Sequence, residues 1–256
     1  MQAERRRGWR DATGSVDQRS CRNRLLAVMA SEDFDLLPLQ PVTLSLHEVL
    51  LSAEKPASHV CFVESGFASV TTDEALGQVE VGMIGREGLI GAVPVLLRAD
   101  RSPLSCSVQR PGQGYRVAVP DLESAVARSP GLHALLLRYV QAVVVQGAFT
   151  AYSNAGFTIE VRLARWLLMC HDRSDDDVLL VTHGFLSTML GVRRPGVTVA
   201  VQVLEGHGLV RARRGRITVL DRAGLRALAG RSYGLAEAEY ERLLPARGAH
   251  AVTAPV

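Results

Sequence analysis

The clearest structural pattern in the chain is THGFLSTMLGVRRPGVTVAVQVLEG at residues 182–206, followed by LVRARRGRITVL at residues 209–220. The first stretch is predicted to form two short helices joined by a tight turn. Thr182 is a suitable N-cap for the first helix, and Gly191 stands where that helix must end in a left-handed residue. Pro195 suits the first turn of a second helix. Two helices around a glycine turn are the pattern of a helix-turn-helix.

Apolar residues recur at helical spacing in both predicted helices, which gives each helix one inner face. These faces are Leu186, Met189 and Leu190 in the first helix and Val197, Val201 and Leu204 in the second. The outward positions of the second helix are Arg193, Arg194, Thr198, Gln202 and Glu205. Arginine can bind guanine O6 and N7 bidentately, and the amides of a helix N-terminus favour a phosphate. The expected contacts to a groove of double-stranded DNA are Arg193, Arg194, Thr198 and Gln202.

The second stretch is two β runs around Arg214-Gly215, which predicts a wing-like hairpin. Its tip and flanks carry Arg211, Arg213, Arg214 and Arg216, which we expect to contact phosphates. Between residues 191 and 226, eight arginines stand against two acidic residues, so the local net charge is +6, twice that of the whole chain. A solvated basic face would show the same charge. The prediction of DNA binding therefore rests on the combination of three features along the chain: an amphipathic helix, then the helix pair, then the basic hairpin.

Residues 41–119 have a different character. Short β-rich runs alternate there with Gly, Pro, Ser and Asp, which is typical of an all-β sandwich, barrel or roll. Glu64-Ser65-Gly66, between two apolar runs, is predicted to be a hairpin turn. Residues 20–30 (SCRNRLLAVMA) predict a short leading helix.

Residues 132–152 predict a long helix whose only charged residue is Arg138. Two apolar stripes can be drawn on this helix: Leu132, Leu136, Tyr139 and Val143, and Leu137, Val140, Val144 and Ala148. One stripe suffices to face the helix's own domain. The second predicts a partner helix in a coiled-coil homodimer, and the alternative is a helix fully buried in one subunit.

The predicted organisation has three parts. Residues 1–19 are expected to be a disordered tail, residues 20–154 a sensor domain with the dimerisation helix, and residues 155–256 a winged helix-turn-helix domain with a C-terminal helix. The boundary is placed at a predicted break over residues 153–156. The acidic run at residues 175–177 is expected to be a solvated loop.

Several classes of protein are not expected. The four cysteines, Cys21, Cys61, Cys106 and Cys170, are scattered singly, which fits neither a disulfide framework nor a metal site and suggests a reducing cytoplasm. No uninterrupted apolar run approaches the roughly 18 residues that span a bilayer, so no membrane is expected. No nucleophile–base pair or phosphate-cradling glycine loop indicates an enzyme.

Four segments together resemble the CRP/FNR superfamily of bacterial regulators: VEVGMIGREGLIG, VRLARWLLM, LGVRR and LEGHGLVRARRGRITVLDR. The resemblance covers roughly residues 25–243. It implies an α+β chain with an N-terminal cyclic-nucleotide-binding-like β-roll (a jelly roll), a long dimerisation helix and a C-terminal winged helix-turn-helix. It also implies a homodimeric transcriptional regulator with a small-molecule effector and with RNA polymerase as a partner.

The sequence departs from the family in the effector site. Cyclic-nucleotide-binding members have a Gly-Glu-Leu element followed by an Arg-Ser pair. Arg101-Ser102 matches the pair and is the predicted effector site, but Ala92 stands where the glutamate would be. A ribose hydroxyl left unpaired there costs about 1–3 kcal/mol. We therefore expect an effector other than cyclic AMP, and Arg101 either binds another anion or is structural.

Two further departures concern the recognition helix and the cofactor. Pro195 and Val199 replace the Glu and second Arg of the family's usual recognition helix, so the target sequence should differ. Only Cys21 lies near the N-terminus, where iron–sulfur members have a cysteine group, and His47 and His59 are interpreted as structural rather than haem ligands. No cofactor or metal is expected. The rival interpretation is a ligand-binding module whose winged domain contacts a protein instead of DNA.

Overall fold

The computed structural model describes residues 16–72, 78–99 and 101–245. Residues 40–118, which we call the roll, form a six-stranded antiparallel sheet. Its strands are β1 (Gln40–Leu44), β2 (Val49–Leu51), β3 (His59–Thr71), β4 (Glu80–Ile84), β5 (Leu89–Ile90) and β6 (Ser105–Ala118). The path runs β1-β6-β3-β4, with β2 paired to β6 and β5 to β3. This is the predicted N-terminal β domain.

The predicted hairpin at Glu64-Ser65-Gly66 is wrong, because β3 continues through all three residues. The strand accommodates them by irregular pairing with β6 on both sides of Ser65. Gly66 has φ 75°, a left-handed value that glycine adopts without strain. The buried Glu64 carboxylate accepts hydrogen bonds from the backbone amides of Arg22 (2.7 Å) and Asn23 (2.9 Å), which tie the N-terminal segment to the sheet.

Short helices cover one side of the roll. They are α1 (Arg24–Val28), α2 (Ser31–Phe34), α3 (Ala92–Leu96) and α4 (Val119–Arg128). Of the predicted disordered tail, residues 1–15 lie outside the described residues. Gln18–Ser20 form a 3-10 helix, and the Gln18 amide donates to the carbonyls of Leu26 (2.8 Å) and Met29 (2.9 Å). Gln18 and Arg19, which were predicted to lie in the tail, are therefore structured.

The long helix α5 spans Pro130–Gly156, 27 residues. The predicted break at residues 153–156 is wrong, since the helix ends only at the extended residue Phe157. Its inner face is the first of the two predicted stripes: Leu132, Leu136 and Tyr139 are buried, and Val143 packs against the same cluster. By length and composition alone, α5 would also be long and apolar enough to cross a membrane.

Residues 159–229, which we call the winged half, follow directly. Their elements are α6 (Ile159–Asp172), β7 (Val178–Leu179), α7 (His183–Leu190), α8 (Arg194–Gly206), β8 (Val210–Arg213), β9 (Arg216–Val219) and α9 (Arg222–Ala229). The three strands form a small sheet in the order β7-β9-β8. Together with α7 and α8, this sheet confirms the predicted winged helix-turn-helix.

The roll and the winged half share a buried core. Phe67 and Met83 of the roll belong to the same apolar cluster as Leu167 and Leu204 of the winged half. Within this contact the indole Nε1 of Trp166 donates to Glu80 Oε1 at 2.9 Å, and the Ser69 hydroxyl donates to the other carboxylate oxygen. The two units are therefore packed together and are not joined only by a linker.

Charged side chains surround this shared core. The acidic run at residues 175–177 is an exposed loop, as predicted. It also carries ion pairs: Asp175 bonds Arg22 and Arg86 of the N-terminal half, and Asp176 bonds Arg110 of β6. Such exposed pairs contribute up to about 1 kcal/mol each. A more buried pair joins Arg173, just after α6, to Glu87 before β5, with Nε and Oε1 2.7 Å apart.

The last helix, α10 (Leu235–Leu243), packs against α5. Our prediction grouped it with residues 155–256, yet Leu244 is buried in the core of the roll. The Tyr240 hydroxyl donates to the carbonyl of Glu87 (2.6 Å), and Glu241 pairs with Arg24 (2.6 Å). The chain thus returns to the roll after completing the winged half.

Replacing the buried carboxylate should show how this contact depends on pH. Burial raises the pKa of Glu80 from 4.5 to about 7. The folded state therefore keeps a proton that the unfolded chain releases, and stability falls as pH rises from 4.5 to about 7. At about pH 8, Glu80→Gln should raise the free energy of unfolding by up to about 3 kcal/mol, and the melting temperature with it. At about pH 5 both should change little.

The measurement is thermal unfolding followed by circular dichroism at both pH values. Glu123→Gln, which removes an exposed carboxylate from α4, serves as the control and should leave both melting temperatures unchanged. Equal stabilisation by Glu80→Gln at both pH values would contradict the titration argument. Destabilisation at the higher pH would show that the ionised carboxylate is needed.

Candidate nucleic-acid interface

The turn between α7 and α8 has the predicted geometry. Thr182 caps α7 by accepting the amide of Phe185 on its hydroxyl oxygen at 3.1 Å. Gly191 ends the helix with φ 60° and ψ 39°. A Cβ built on Gly191 would lie 3.1 Å from a methyl carbon of Val79, which precedes β4. The glycine is therefore needed both for its left-handed conformation and for the close approach of the roll.

The inner faces predicted for α7 and α8 are confirmed. All six side chains are buried in the core of the winged half: Leu186, Met189, Leu190, Val197, Val201 and Leu204. Pro195 lies in the first turn of α8, as predicted. This packing fixes which side of α8 faces away from the protein.

The leading residues of α8 point away from this core. Arg193 and Arg194 are exposed, and neither forms an ion pair with a described residue. Gln202 is exposed two turns later. Thr198 is half-buried. Its hydroxyl donates to the carbonyl of Arg194 (3.2 Å) and lies 3.1 Å from Nδ1 of His183. Its side chain is thus partly engaged within the helix pair.

The prediction that Glu205 faces outward is wrong. It is half-buried, and its Oε1 accepts the backbone amide of Ala212 in β8 at 2.7 Å. The carboxylate fixes the wing to the end of α8, which sets the distance between the two. It also compensates the unpaired amide at the edge of the hairpin.

The wing is a tight antiparallel hairpin. Arg213 pairs with Arg216, which leaves Arg214-Gly215 as a two-residue turn. Gly215 has φ 76°, a left-handed value that glycine adopts without strain. The exposed arginines are Arg211, Arg213, Arg214 and Arg216, and none of them forms an ion pair with a described carboxylate. Arg213 donates only to the neighbouring carbonyl of Ala212 (3.0 Å).

Together, α8 and the wing form one positive surface, which we call the basic face: Arg193, Arg194, Arg211, Arg213, Arg214 and Arg216. Arg222 shows the opposite behaviour, because it bonds Asp172 (2.6 Å) and the Tyr233 hydroxyl (3.0 Å) inside the protein. Unneutralised guanidinium groups on a protruding helix and hairpin are suited to binding phosphates. Apart from the bond between Arg213 and the Ala212 carbonyl, no hydrogen bond to another described residue occupies the donors of these six groups.

Comparison with known proteins agrees with this geometry. Residues 161–228 match the family of Crp-like helix-turn-helix domains. A solved regulator assigned to the CRP/FNR family, from Eubacterium rectale, superimposes with a TM-score of 0.65, covering 80% of this chain and 97% of its own at 14% identity. The chain has the CRP/FNR fold. The resemblance to that superfamily is thereby confirmed.

Two further structures share the CRP/FNR fold of this chain. FixK2 from Bradyrhizobium japonicum gives a TM-score of 0.65 at 16% identity, covering 76% of this chain and 98% of its own. A CRP/FNR-family transcriptional regulator from Thermus thermophilus gives 0.58 at 18% identity, covering 74% and 98%. No curated protein matches the chain by sequence.

Two apolar residues also belong to the candidate interface: Val199, which the sequence analysis named only as a departure from the family pattern, and Val203, which it missed. Val199 and Val203 of α8 are 54% and 37% exposed, beside Gln202. A signal for them was available, because neither falls on the inner stripe of Val197, Val201 and Leu204. Both side chains therefore lie on the face of α8 that points away from the core of the winged half.

The predicted effector site, Arg101 and Ser102, lies just before β6. The Ser102 hydroxyl accepts the amide of Leu104 (3.1 Å), and its carbonyl accepts the amide of Glu54 (2.8 Å). Arg101 is exposed. Ala92 is 1% exposed at the start of α3, so no carboxylate is offered there. Among residues 16–72, 78–99 and 101–245, no His, Cys, Asp and Glu side chains group into a metal site.

The wing should loosen when its carboxylate support is removed. Glu205→Ala leaves the Ala212 amide without its acceptor, which costs about 1–3 kcal/mol. We expect amide hydrogen exchange in residues 210–219 to accelerate by roughly tenfold or more. The measurement is hydrogen–deuterium exchange by mass spectrometry. Glu205→Gln, which retains an acceptor oxygen, should stay close to the parent protein, and unchanged exchange in Glu205→Ala would show that the wing needs no such support.

Proposed function

We propose that this chain is a sequence-specific DNA-binding transcriptional regulator of the CRP/FNR type, acting in the cytoplasm as a homodimer on a two-fold-related operator. The observation that carries the proposal is the basic face, in which six exposed arginines on α8 and the wing lack internal carboxylate partners. Its protein partner in transcription would be RNA polymerase. The effector would be a small molecule other than cyclic AMP.

The two parts of the basic face have different roles in this proposal. The N-terminal end of α8 enters the major groove, where Arg193, Arg194 and Gln202 meet base edges, with Thr198 at the margin. The wing lies along the backbone, and Arg211, Arg213, Arg214 and Arg216 neutralise phosphates. Val199 and Val203 add apolar contact with thymine methyl groups. The target should therefore differ from sites read by helices with a second arginine in this position.

The homodimer would form along the outer face of α5. The exposed residues there are Leu137, Gln141, Val144, Ala148, Ala151 and Ala155, at 4-3-4-3-4 spacing. This is the spacing of a coiled-coil seam, and we call it the α5 seam. The predicted second stripe needs one correction, because Val140 is 7% exposed and belongs to the inner face, and Gln141 takes its place.

Pairing through the α5 seam would place two winged halves side by side. A two-fold dimer of this kind binds half-sites about 34 Å apart. An effector can shift the spacing or orientation of the two α8 helices only if it binds two arrangements with different affinity. The packed contact between the roll and the winged half is where those arrangements would differ.

The division of labour within the basic face can be tested with two arginine variants. A site is first selected from a random DNA pool, and binding is then measured by gel shift against salt. Arg194→Ala should reduce discrimination between the site and random DNA, by about 1–3 kcal/mol. Arg213→Ala should weaken binding to both about equally and reduce the slope of log affinity against log salt by about 1.

Arg128→Ala removes an exposed arginine at the end of α4, remote from the basic face, and should change neither quantity. The reverse pattern for Arg194 and Arg213 would exchange the roles given to helix and wing. No DNA binding by the parent protein at low salt would support the rival function, in which the winged half contacts a protein.

The α5 seam can be tested by placing charge in it. Val144 is 56% exposed in one chain, so Val144→Glu should fold normally and yet leave a carboxylate inside the dimer contact. We expect a monomer in analytical ultracentrifugation and loss of operator affinity. Leu220→Glu, at a comparably exposed position in the winged half, should remain dimeric. A dimeric Val144→Glu protein would place the interface elsewhere.

A further inference from the structure

A cavity of about 630 Å³ lies between the roll, α5 and α10. This is within the size range of small-molecule sites, roughly 300–1,000 Å³. Much of its wall is aliphatic: the buried Ile84 and the half-buried Val70, Val81, Leu104 and Val143. Neither Arg101 nor Ser102 lines it.

The charged groups around the cavity are already paired. Arg24 bonds Glu241 (2.6 Å), and Arg173 bonds Glu87 (Nε to Oε1, 2.7 Å). The remaining carboxylates and Arg86 also have protein partners: Asp172 bonds Arg222, Glu237 accepts the Gly234 amide, and Arg86 bonds Asp175. An anionic ligand would find four carboxylates and three guanidinium groups here, and would have to break an existing pair. The lining therefore disfavours a phosphate.

One polar side chain in the lining keeps a free donor. The Oε1 of Gln146 in α5 accepts the backbone amide of Met83 in β4 at 2.7 Å. This bond fixes the orientation of the carboxamide, and its Nε2 has no hydrogen-bond partner among the described residues. An oriented amide donor at an apolar wall can select a ligand with one acceptor.

We propose that this cavity binds a neutral, predominantly apolar small molecule that offers one hydrogen-bond acceptor to Gln146. The inference rests on the proposed function and specifies the chemical class of its effector. The occupant would touch β4 of the roll, α5 beside the seam, Arg173 just after α6, and α10. Because these elements belong to both halves of the chain, its affinity depends on how the halves are arranged.

The cavity can be filled without removing a contact. Gly147 lines it, and a Cβ built there meets nothing within 4 Å. Gly147→Leu should therefore occupy the space while improving helix propensity. Gly156→Leu is the matched control, since it lies in the same helix, also has open space around its Cβ, and does not line the cavity. Val143→Trp fills the same cavity from a second position.

The probes are N-phenyl-1-naphthylamine, which is neutral and apolar, its anionic analogue 1-anilinonaphthalene-8-sulfonate, and cyclic AMP. Fluorescence titration of the full chain should show saturable binding of the neutral dye, one per chain. Gly147→Leu and Val143→Trp should weaken it by roughly tenfold or more, while Gly156→Leu should not. The anionic dye should bind more weakly, and cyclic AMP should not displace the neutral dye.

Operator binding and the melting temperature are measured on the same proteins. Neutral-dye binding that survives both filling variants, or that cyclic AMP displaces, would overturn the proposed ligand site. If the dye fails to bind a protein that still binds its operator, the proposed ligand site is also overturned. The proposed function then stands. Loss of operator binding by the parent protein would instead overturn the proposed function.

Discussion

The carboxylate of Glu80 holds two hydrogen bonds in the buried contact between β4 and α6, one from Trp166 and one from Ser69. Met83 and Phe67 extend this contact into the core of the winged half. A buried carboxyl group, ionised or protonated, is tolerated only where hydrogen-bond partners satisfy it, so the two halves are held in one register by polar geometry as well as by apolar area. The placement of α8 and the wing relative to the roll follows from this contact. The ion pairs around it add little energy singly but oppose sliding.

The helix α5 serves three neighbours at once. Its inner face completes the core of the roll, its outer face presents the α5 seam, and Gln146 and Gly147 between these faces line the cavity. A helix with so little charge is therefore not simply a core helix or simply a dimer helix. Residues a few positions apart experience different constraints, which is why Val140 and Gln141 exchange the roles that spacing alone suggests.

Local features of the winged half could be predicted from the sequence because their causes are local. The Thr182 cap, the left-handed Gly191 and the inner face of α8 each depend on residues within a few positions. Features set by distant partners could not: β3 passes through Glu64-Ser65-Gly66 because Gln113 and its neighbours in β6 accommodate the irregularity. The acidic run is paired by an arginine 153 residues earlier, and α10 returns to the roll. Glu205 was misplaced because a polar side chain at a helix edge can bond a neighbouring strand.

The close approach of Val79 to Gly191 has a mechanical consequence. The turn that sets the angle between α7 and α8 rests directly on the side chain of Val79, in the chain segment entering β4. A movement of β4 at this end would therefore be transmitted to α8 through the contact between the Val79 methyl group and the turn. A β-carbon at position 191 would press on Val79 and strain the left-handed backbone, so the turn and the strand edge could not keep their present spacing even in the absence of any ligand.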